Sequence, residues 1–282
     1  MWAIIGGSGF ERFEGFSKLD EIKMDTPFGA PSSGLKKAVI DGIEIIFLPR
    51  HGQHHELLPS EINYRANIFA LKALGVTKIL SVSAVGSLRE ELKPGDMVVP
   101  TQYINRASFA RKHTFCGGGV TGHVALAHPV TLELVEEVEK IRAEFDFAIH
   151  IGKTYVCIEG PQFSTKAESH SYRDQGADII GMTNFPEYAL AREAGICYLP
   201  CSFVTDYDSW NDLIPHVTLQ QVLDIMRKNN SKAFALANSL IKKTNHLFNK
   251  GCPELGLKNG LMCTLDSIAA EKREWLSVLM AE

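Results

Sequence analysis

The sequence has no long apolar run. The longest ones, such as residues 79–84, fall well short of the roughly 18 residues that a membrane-spanning helix requires. An excess of positive charge is also missing, because 29 Lys and Arg residues stand against 33 Asp and Glu residues, which gives a formal net charge of -4. No basic stripe is present that would hold a nucleic-acid backbone. These absences disfavour both a membrane protein and a polynucleotide-binding protein.

The amino-terminal residues lack the charged start and long apolar middle of a secretory signal, and they indicate a first strand. Cysteines are few and scattered. Because they form neither a CxxC pair nor a dense cluster, a metal site or a disulfide framework has little support. We expect reduced thiols in a cytoplasmic protein, with a pair between Cys197 and Cys201 as the alternative. The six cysteines are Cys116, Cys157, Cys197, Cys201, Cys252 and Cys263.

Internal repeats, low-complexity tracts and long linkers are absent as well. Apolar residues make up 45% of the chain and charged residues 22%, close to the averages of globular proteins. A sizeable core is therefore possible. We expect one domain over residues 1–245, followed by a C-terminal extension, residues 246–282, that is peripheral or partly ordered.

Short apolar runs typical of strands alternate with segments whose apolar residues lie three and four apart, as in half-buried helices. The predicted strands are residues 2–5, 38–40, 43–48, 78–83, 96–100, 154–157, 179–181 and 196–203. The predicted helices are residues 64–74, 129–143, 166–175, 186–194 and 218–243, the last with a break near residues 229–230. This order predicts an α/β fold, a mixed β-sheet flanked by helices, with residues 107–128 as a loop or lid. Sites in such folds lie where strands end.

Two polar segments at predicted strand ends could hold an anion. The glycines of residues 6–9 allow a tight turn that presents N–H groups, and Ser8 adds a hydroxyl donor. Their spacing does not fit the dinucleotide fingerprint, and a purely structural turn is the alternative.

Arg50 and His51 follow another strand, and the planar donors of an arginine match two phosphate oxygens at once. For residues 50–55, which contain three histidines, a metal site and a solvated loop are the alternatives.

Two further segments share this position. Residues 81–87 combine small side chains with hydroxyl groups, so a ligand can approach the backbone closely, and residues 181–184 join a strand to a helix. Each could be a simple connection. Together, the four segments favour one shared anion pocket.

Two carboxylates follow the last predicted strand. In extended backbone, Asp206 and Asp208 lie on one face. A carboxyl group donates when protonated and accepts when ionised, so the pair can meet both the N7 acceptor and the amino donor of adenine. Helix capping and cation binding are the alternatives for this pair.

Taken in order along the chain, these segments resemble the trimeric purine nucleoside phosphorylases, and among them the methylthioadenosine-cleaving branch most closely. The resemblance covers residues 1 to about 245. It implies a single α/β domain in a homotrimer that splits a nucleoside with orthophosphate as co-substrate and needs no metal or organic cofactor. The motifs are IIGGSG at 4–9, DTPFG at 25–29, RHG at 50–52, NYRAN at 63–67, GSL at 86–88, PGD at 94–96, EGP at 159–161, GMT at 181–183 and TDYD at 205–208.

The resemblance also implies residue roles. For orthophosphate it implies Ser8, Arg50, His51, Ser83, Ala84 and Thr183. For the nucleoside it implies Met182 against the sugar, Phe163 facing the base, and Asp206, Tyr207 and Asp208 at the purine edge, with Asp206 as the catalytic acid. For specificity it implies Ser164, Val217 and Leu219, the last larger than the valine common in that branch, which leaves adenosine itself as a candidate substrate.

The chemistry explains these residue types. Cleavage of the bond between the sugar and purine N9 builds positive charge on the sugar and negative charge on the base. A fixed phosphate stabilises the sugar and then captures it, while a protonated Asp206 lets the base leave neutral. Relatives that act on 6-oxopurines usually carry Asn at this position, so Asp206 favours a 6-aminopurine. A broader purine nucleoside phosphorylase and a catalytically silent nucleoside-binding protein are the alternatives.

Overall fold

The computed structural model describes residues 1–7, 17–107, 111–211 and 219–281, apart from the side chains of residues 17–19, 219–224 and 226. Within these ranges the strands are β1 (Trp2–Gly6), β2 (Ser17–Ile22), β3 (Leu35–Ile40), β4 (Ile43–Pro49), β5 (Lys78–Ser87), β6 (Met97–Arg106), β7 (Ile149–Ile158), β8 (Ile179–Gly181) and β9 (Cys197–Asp206). The α-helices are α1 (Tyr64–Ala73), α2 (Leu132–Ile141), α3 (Lys166–Asp174), α4 (Asn184–Glu193), α5 (Leu219–Thr244), α6 (Leu257–Gly260) and α7 (Ala270–Met280). None of the helices described here is both long and apolar enough to cross a bilayer.

The strands form one mixed sheet in the order β2-β3-β4-β1-β5-β8-β7-β6-β9. A further pairing between β5 and β9 closes the last five strands into a ring, so β9 lies beside both β6 and β5. Helices pack on the sheet, among them α4 and α5 against β9. The predicted α/β fold with a mixed sheet flanked by helices is confirmed.

Four parallel strands determine where a site can form. β1 pairs in parallel with β4 and β5, and β5 pairs in parallel with β9. The carboxyl ends of these strands therefore meet at one edge of the sheet. All five residues of β1 are buried, as expected for a strand covered on both faces.

Local signals fix the starts of two helices. Asn63 caps α1, because its side chain accepts a hydrogen bond from the backbone N–H of Ala66 at 3.2 Å. Thr165 and Glu168 form a reciprocal capping box at the start of α3. That box fixes where the segment carrying Phe163 and Ser164 enters the helix.

Two details of the predicted order are wrong. β2 was not predicted, and α5 runs without the break expected near residues 229–230. Asn229 is buried in α5, and its Nδ2 donates to the carbonyl of Val204 on β9 at 3.4 Å. Its amide therefore has a partner outside the helix and does not compete with the helical backbone.

The segment after residue 245, which the sequence set apart as an extension, shares the core with the residues before it. Leu257, Ile268, Leu276 and Leu279 are buried in the main hydrophobic cluster, which also contains β1. Helix α7 packs against α1. Its contacts thus contribute to the same core that supports the carboxyl edge of the sheet.

One pair of cysteines is oxidised in the structure. Cys197, the first residue of β9, forms a disulfide with Cys252, so the expectation of reduced thiols is wrong for this pair. Cys201 is free and buried. It lies four residues further along the same strand, about 13 Å away in extended backbone, which is too far for a bond to Cys197.

Candidate active site

A cavity of about 380 Å³ opens at the carboxyl ends of β1, β4, β5 and β9, large enough for a small organic ligand. The structure brings most of the residues proposed from the resemblance to its wall. They are Arg50, His51, Ser83, Ala84, Phe163, Ser164, Met182, Thr183, Asp206 and Asp208.

The structure does not bring the side chain of Tyr207 to this wall. Its hydroxyl donates instead to the carbonyl of Glu90 at 3.1 Å, because side chains alternate in extended chain and residue 207 points opposite to Asp206 and Asp208. Ser8 and Val217 lie outside the described residues. Leu219 begins α5, but its side chain is likewise outside them.

Arg50 follows β4 and is buried, with 1% of its surface exposed. Its Nε and Nη2 donate to the carboxylate of Glu187 on α4 at 2.7 and 3.0 Å. Nη2 also donates to Ser81 Oγ, and Nη1 donates to the carbonyl of Val82. Burial by itself would lower the pKa of Arg50, but the charge and hydrogen bonds of Glu187 outweigh it and raise the pKa. Arg50 is therefore a fixed, permanently charged donor.

The fork that the sequence assigned to phosphate is thus occupied by Glu187. A guanidinium has five N–H groups, and the described residues engage four of those of Arg50. One N–H on Nη1 is left for a ligand in the cavity. Glu187 also accepts from the hydroxyls of Ser81 and Tyr198, so the pair is held in a buried network.

His51 is buried beside Arg50. Its Nδ1 lies 2.9 Å from the carbonyl of Leu57, and its ring stacks on that of His55 at 4.4 Å between centroids. Burial lowers the pKa of His51 to about 4, and the charge of Arg50 adds to that effect. The ring is neutral near pH 7. Because Nδ1 must then carry the hydrogen that the Leu57 carbonyl accepts, Nε2 is left as an acceptor.

Strand β5 forms the floor between the two ends of the cavity. Ser83 Oγ lies 3.1 Å from Ser202 Oγ, and Arg50 reaches the carbonyl of the preceding residue. Gly86 lies three residues after Ser83 on β5, which is about 10 Å in extended chain, and it pairs with Asp206 on β9. That length leaves room for a sugar ring between an anion at Ser83 and a base at Asp206.

Asp206 and Asp208 converge over Gly86. A Cβ atom on this glycine would lie 3.2 Å from Asp206 Oδ1 and 3.4 Å from the Cβ of Asp208, so the absence of a side chain at Gly86 gives these two residues room close to β5. Burial raises the pKa of Asp206, the hydrogen bond from Thr205 lowers it and the charge of Asp208 raises it, and the net shift is upward. Burial also raises the pKa of Asp208. Both carboxyls are therefore easier to protonate than a carboxyl in water.

Polar atoms at this end lack partners among the described residues. Asp208 Oδ2 and Ser164 Oγ are both buried without a hydrogen bond of standard geometry, although Ser164 and Ser169 lie close enough to lower the pKa of Asp208. Ser164 is itself positioned, because Ser209 Oγ donates to its carbonyl at 2.7 Å. Buried polar groups are normally paired, so the two atoms indicate a polar ligand at this end of the cavity.

The part of the cavity wall that carries Met182 is fixed by a buried arginine. Arg111 donates to the carbonyls of Met182 and Phe185 at 2.7 and 2.6 Å, and to the carbonyl of Glu159 at 2.9 Å. These bonds join the segment before α4 to the segment after β7. Met182 is therefore held where it faces the cavity.

A buried tyrosine lies beneath Thr183. A Cβ on Gly181 would collide with the hydroxyl of Tyr155, so that hydroxyl lies directly against the backbone that carries Met182 and Thr183. Burial raises the pKa of Tyr155, which keeps it protonated. Its hydroxyl makes no hydrogen bond of standard geometry within the described residues, but Thr183 lies close enough to lower its pKa. It is available to support Thr183.

Sequence reasoning missed Glu187, Thr205 and Asn229, all of which are buried at this site. A carboxylate between apolar residues of a predicted helix was the available signal for Glu187. Thr205 stood inside a quoted motif but had no assigned role. Nothing local distinguishes Asn229. Among the described residues, no three His, Cys, Asp or Glu side chains are grouped so as to hold a metal ion.

Comparison with known proteins agrees with this geometry. Residues 2–242 match the model of the phosphorylase superfamily. The S-methyl-5'-thioadenosine phosphorylase of Geobacter sulfurreducens is 43% identical over 277 residues, which cover 98% of this chain and 96% of that protein.

Solved structures agree as well. A methylthioadenosine phosphorylase from an Antarctic soil metagenomic library has a TM-score of 0.93 at 42% identity, covering 99% of this chain and 98% of that one. A mutant of the adenosine/methylthioadenosine phosphorylase of Schistosoma mansoni, in complex with methylthioadenosine, has a TM-score of 0.81 at 31% identity, covering 99% and 96%. Because the family model matches residues 2–242 and these relatives share the fold over nearly the whole chain, the chain belongs to the phosphorylase superfamily.

Proposed function

We propose that this protein phosphorolyses S-methyl-5'-thioadenosine, giving adenine and 5-methylthioribose 1-phosphate. Orthophosphate is the co-substrate, and the reaction requires no metal or organic cofactor. One observation carries the proposal: a single cavity holds the fixed Arg50 cation beside Ser83 and a protonatable carboxyl, Asp206, beside Gly86. The relatives named above act on this substrate according to their names.

At the phosphate end, the free N–H of Arg50, the hydroxyls of Ser83 and Thr183 and the backbone N–H of Ala84 are the proposed ligands. Glu187 neutralises most of the charge of Arg50, so the site holds a dianion mainly through directed hydrogen bonds. His51 offers an acceptor at Nε2, which suits the O–H of monohydrogen phosphate. Phosphate fixed in this way stabilises the cationic sugar and then forms the new bond to its C1' atom.

At the base end, Asp206 is the proposed general acid. The raised pKa favours the protonated form of Asp206, which supplies its proton as the bond to N9 weakens. That proton then passes to purine N7, and adenine leaves neutral. General acid catalysis of this kind contributes about 10² to 10⁴ in rate.

Base selection rests on the same residues. A carboxyl oxygen accepts from an exocyclic amino group and repels the O6 of a 6-oxopurine. The unpartnered Asp208 Oδ2 and Ser164 Oγ provide further acceptors at this end. We therefore assign Ser164 to base specificity, and Val217 and Leu219 to the apolar pocket for the methylthio group.

The homotrimer and the cytoplasmic location are inferences from the resemblance. Phe163 supports the first, because it stands at the cavity with 79% of its surface exposed in the single chain. An exposed aromatic side chain at a binding site is suited to be covered by ligand or by a second copy. Adenosine is the second candidate substrate, as the name of the Schistosoma mansoni relative couples both nucleosides.

The test is direct. Purified protein is supplied with methylthioadenosine, adenosine, inosine or methylthioinosine, each with and without orthophosphate, and kcat/KM for base release is compared. We expect the highest value for methylthioadenosine and no release without phosphate. Binding of nucleoside without phosphate-dependent release would instead identify a silent binding protein.

A further inference from the structure

We infer that Arg173 and Trp210 are positioning residues for Asp208, and that their stack sets how strongly the site prefers a 6-aminopurine. The inference rests on the proposed function, because it concerns the base end of that reaction. It gives a role to two residues that do not line the cavity.

The segment that carries Asp208 has no regular structure of its own. β9 ends at Asp206, and residues 207–210, here called the base loop, belong to neither a strand nor a helix. Backbone ladders therefore do not fix the carboxyl of Asp208. Holding such a loop in one conformation costs conformational entropy, which the contacts of its side chains have to offset.

The base loop is anchored by its own side chains. The hydroxyls of Tyr207 and Ser209 donate to carbonyls of neighbouring segments, as described above. Trp210 ends the loop, and its Nε1 donates to the carbonyl of Ser87 at 2.8 Å in a buried hydrogen bond. Tyr207 and Ser209 are partly exposed, whereas Trp210 is buried. Trp210 is therefore the buried anchor of the loop.

Arg173 of α3 holds this anchor in place. Its guanidinium carbon lies 3.7 Å from the centroid of the Trp210 ring, which is well within the range of a cation–π contact. Its Nη1 donates to the carbonyl of Leu88, next to the Ser87 carbonyl that Trp210 engages. The two side chains thus join α3, the base loop and the end of β5.

The same face of α3 also reaches Asp208. Ser169 lies four residues before Arg173, so the two side chains are one helical turn apart on one face. Ser169 is fully buried, and its hydroxyl is close enough to Asp208 to lower the pKa of that carboxyl. Asp208 in turn precedes Trp210 by two residues. Helix α3 therefore contacts the base loop at the carboxyl and at the indole, and a shift of the indole would displace the carboxyl.

Position matters for the role proposed for Asp208. A carboxyl oxygen accepts from an exocyclic amino group only at a short distance and near-linear geometry. Asp208 is placed closely, because its Cβ lies against β5 at Gly86. Without the stack, the base loop could move Asp208 away from the purine. The preference for a 6-aminopurine would then weaken, while the phosphate end would keep its contacts.

The test measures binding of adenine by titration calorimetry in the presence of orthophosphate, together with kcat/KM for methylthioadenosine and methylthioinosine. Trp210→Leu removes both the stack and the hydrogen bond to Ser87, so we expect Kd for adenine to rise about tenfold or more. The ratio of the two kcat/KM values should fall, and KM for phosphate should stay near its wild-type value. Trp210→Phe keeps an aromatic face for Arg173 and should give an intermediate Kd.

Trp275→Leu is the matched control. Trp275 and Trp210 are both 8% exposed, but Trp275 lies on α7 and packs edge-on against Phe28 at 5.2 Å in the main core. Its replacement should lower the melting temperature and leave Kd for adenine near its wild-type value. An equal increase of this Kd in both leucine variants, or an unchanged Kd in Trp210→Leu, would overturn the inference.

Arg173 provides a second test if Trp210→Leu fails to fold, because Arg173 is only partly buried. Arg173→Leu removes the stack and the bond to Leu88, so Kd for adenine should rise about threefold to tenfold. Arg173→Lys keeps a cation and should stay closer to the wild type. An unchanged Kd in Arg173→Leu would contradict the inference. A wild type that binds adenine but releases no base from any nucleoside would instead overturn the proposed function, and adenine binding would still test the stack.

Discussion

Glu187 binds the guanidinium of Arg50 through two hydrogen bonds, at 2.7 Å to Nε and 3.0 Å to Nη2, and both residues are 1% exposed. Helix α4, which carries Glu187, thereby fixes Arg50, a residue that follows β4 and lies 137 positions earlier in the chain. The geometry determines which face of Arg50 is open to the cavity. It also means that the proposed phosphate site depends on a residue that does not line the cavity.

Replacing Glu187 with Gln should impair phosphate binding. The neutral amide cannot hold both N–H groups of Arg50, so we expect KM for phosphate to rise by about tenfold or more while KM for the nucleoside changes little. Loss of a buried ion pair also destabilises the fold by roughly 3–5 kcal/mol. Steady-state kinetics with varied phosphate measure the first effect.

Glu193→Gln is the matched control. Glu193 lies on the same helix, is buried, and accepts from Thr114 Oγ1 and the N–H of Phe115, away from the cavity. The Glu193→Gln substitution should lower the melting temperature without raising KM for phosphate. Equal increases of this KM in both variants would contradict the role given to Glu187.

Tyr155→Phe should weaken phosphate binding as well. The variant removes the buried hydroxyl beneath Thr183 and leaves the ring in place, so we expect KM for phosphate to rise about threefold to tenfold, the range of one hydrogen bond. Tyr188→Phe is the control, because its ring packs on Tyr103 at 4.2 Å in the same buried cluster. An unchanged KM for phosphate in Tyr155→Phe, with full activity, would show that the hydroxyl has no such role.

His51 should make the protein less stable as the pH falls. The folded state keeps His51 neutral down to about pH 4, whereas the unfolded chain binds its proton near the ordinary pKa of 6.5. Acid therefore favours the unfolded state between pH 6.5 and 4, by roughly 3 kcal/mol in total, and has no effect through this group above pH 6.5. Urea unfolding at several pH values measures the free energy of unfolding.

In His51→Gln this loss of stability on acidification disappears. The free energy of unfolding of the variant should therefore rise, relative to that of the wild type, by that amount from pH 6.5 to 4. His170→Gln, at an exposed position of α3, should show no such change. A constant difference across the range would mean that His51 titrates normally in the folded protein.

The disulfide between Cys197 and Cys252 should stabilise the fold without affecting catalysis. It closes a loop of 55 residues, for which the chain-entropy estimate is roughly 4 kcal/mol. We expect a reductant to lower the melting temperature of the wild type and to leave Cys252→Ser unaffected. Titration of denatured, unreduced protein should find four free thiols; six would contradict the bond.

The sequence predicted the parts of the site that depend on local order. Arg50, Ser83 and Asp206 each follow or end a β-rich run, and the parallel pairing of β4, β1, β5 and β9 brings these ends together. Thr183 follows β8, which pairs antiparallel with β5. The small residues at positions 81–87 likewise predicted that another group comes close to the backbone of this strand, and Asp206 and Asp208 lie close to it at Gly86.

The rest depended on tertiary contacts that have no local signal. Glu187 meets Arg50 only because α4 packs against β9 and α1. In the pairing of β5 with β9, Val85 is opposite Val204 but Gly86 is opposite Asp206, so Thr205 is an extra residue on β9. A strand does not reveal such a shift of register in its own residues. The disulfide was missed for the same reason, since Cys252 lies 55 residues from Cys197.

The most direct test of the whole account is base release by wild type and Asp206→Asn from methylthioadenosine and methylthioinosine, with saturating phosphate. We predict that the wild type strongly prefers methylthioadenosine. Asp206→Asn should lose about 10² or more in kcat/KM for that substrate and gain relative preference for the 6-oxopurine. An unchanged ratio of the two kcat/KM values in Asp206→Asn would contradict the assignment of Asp206 to the purine edge.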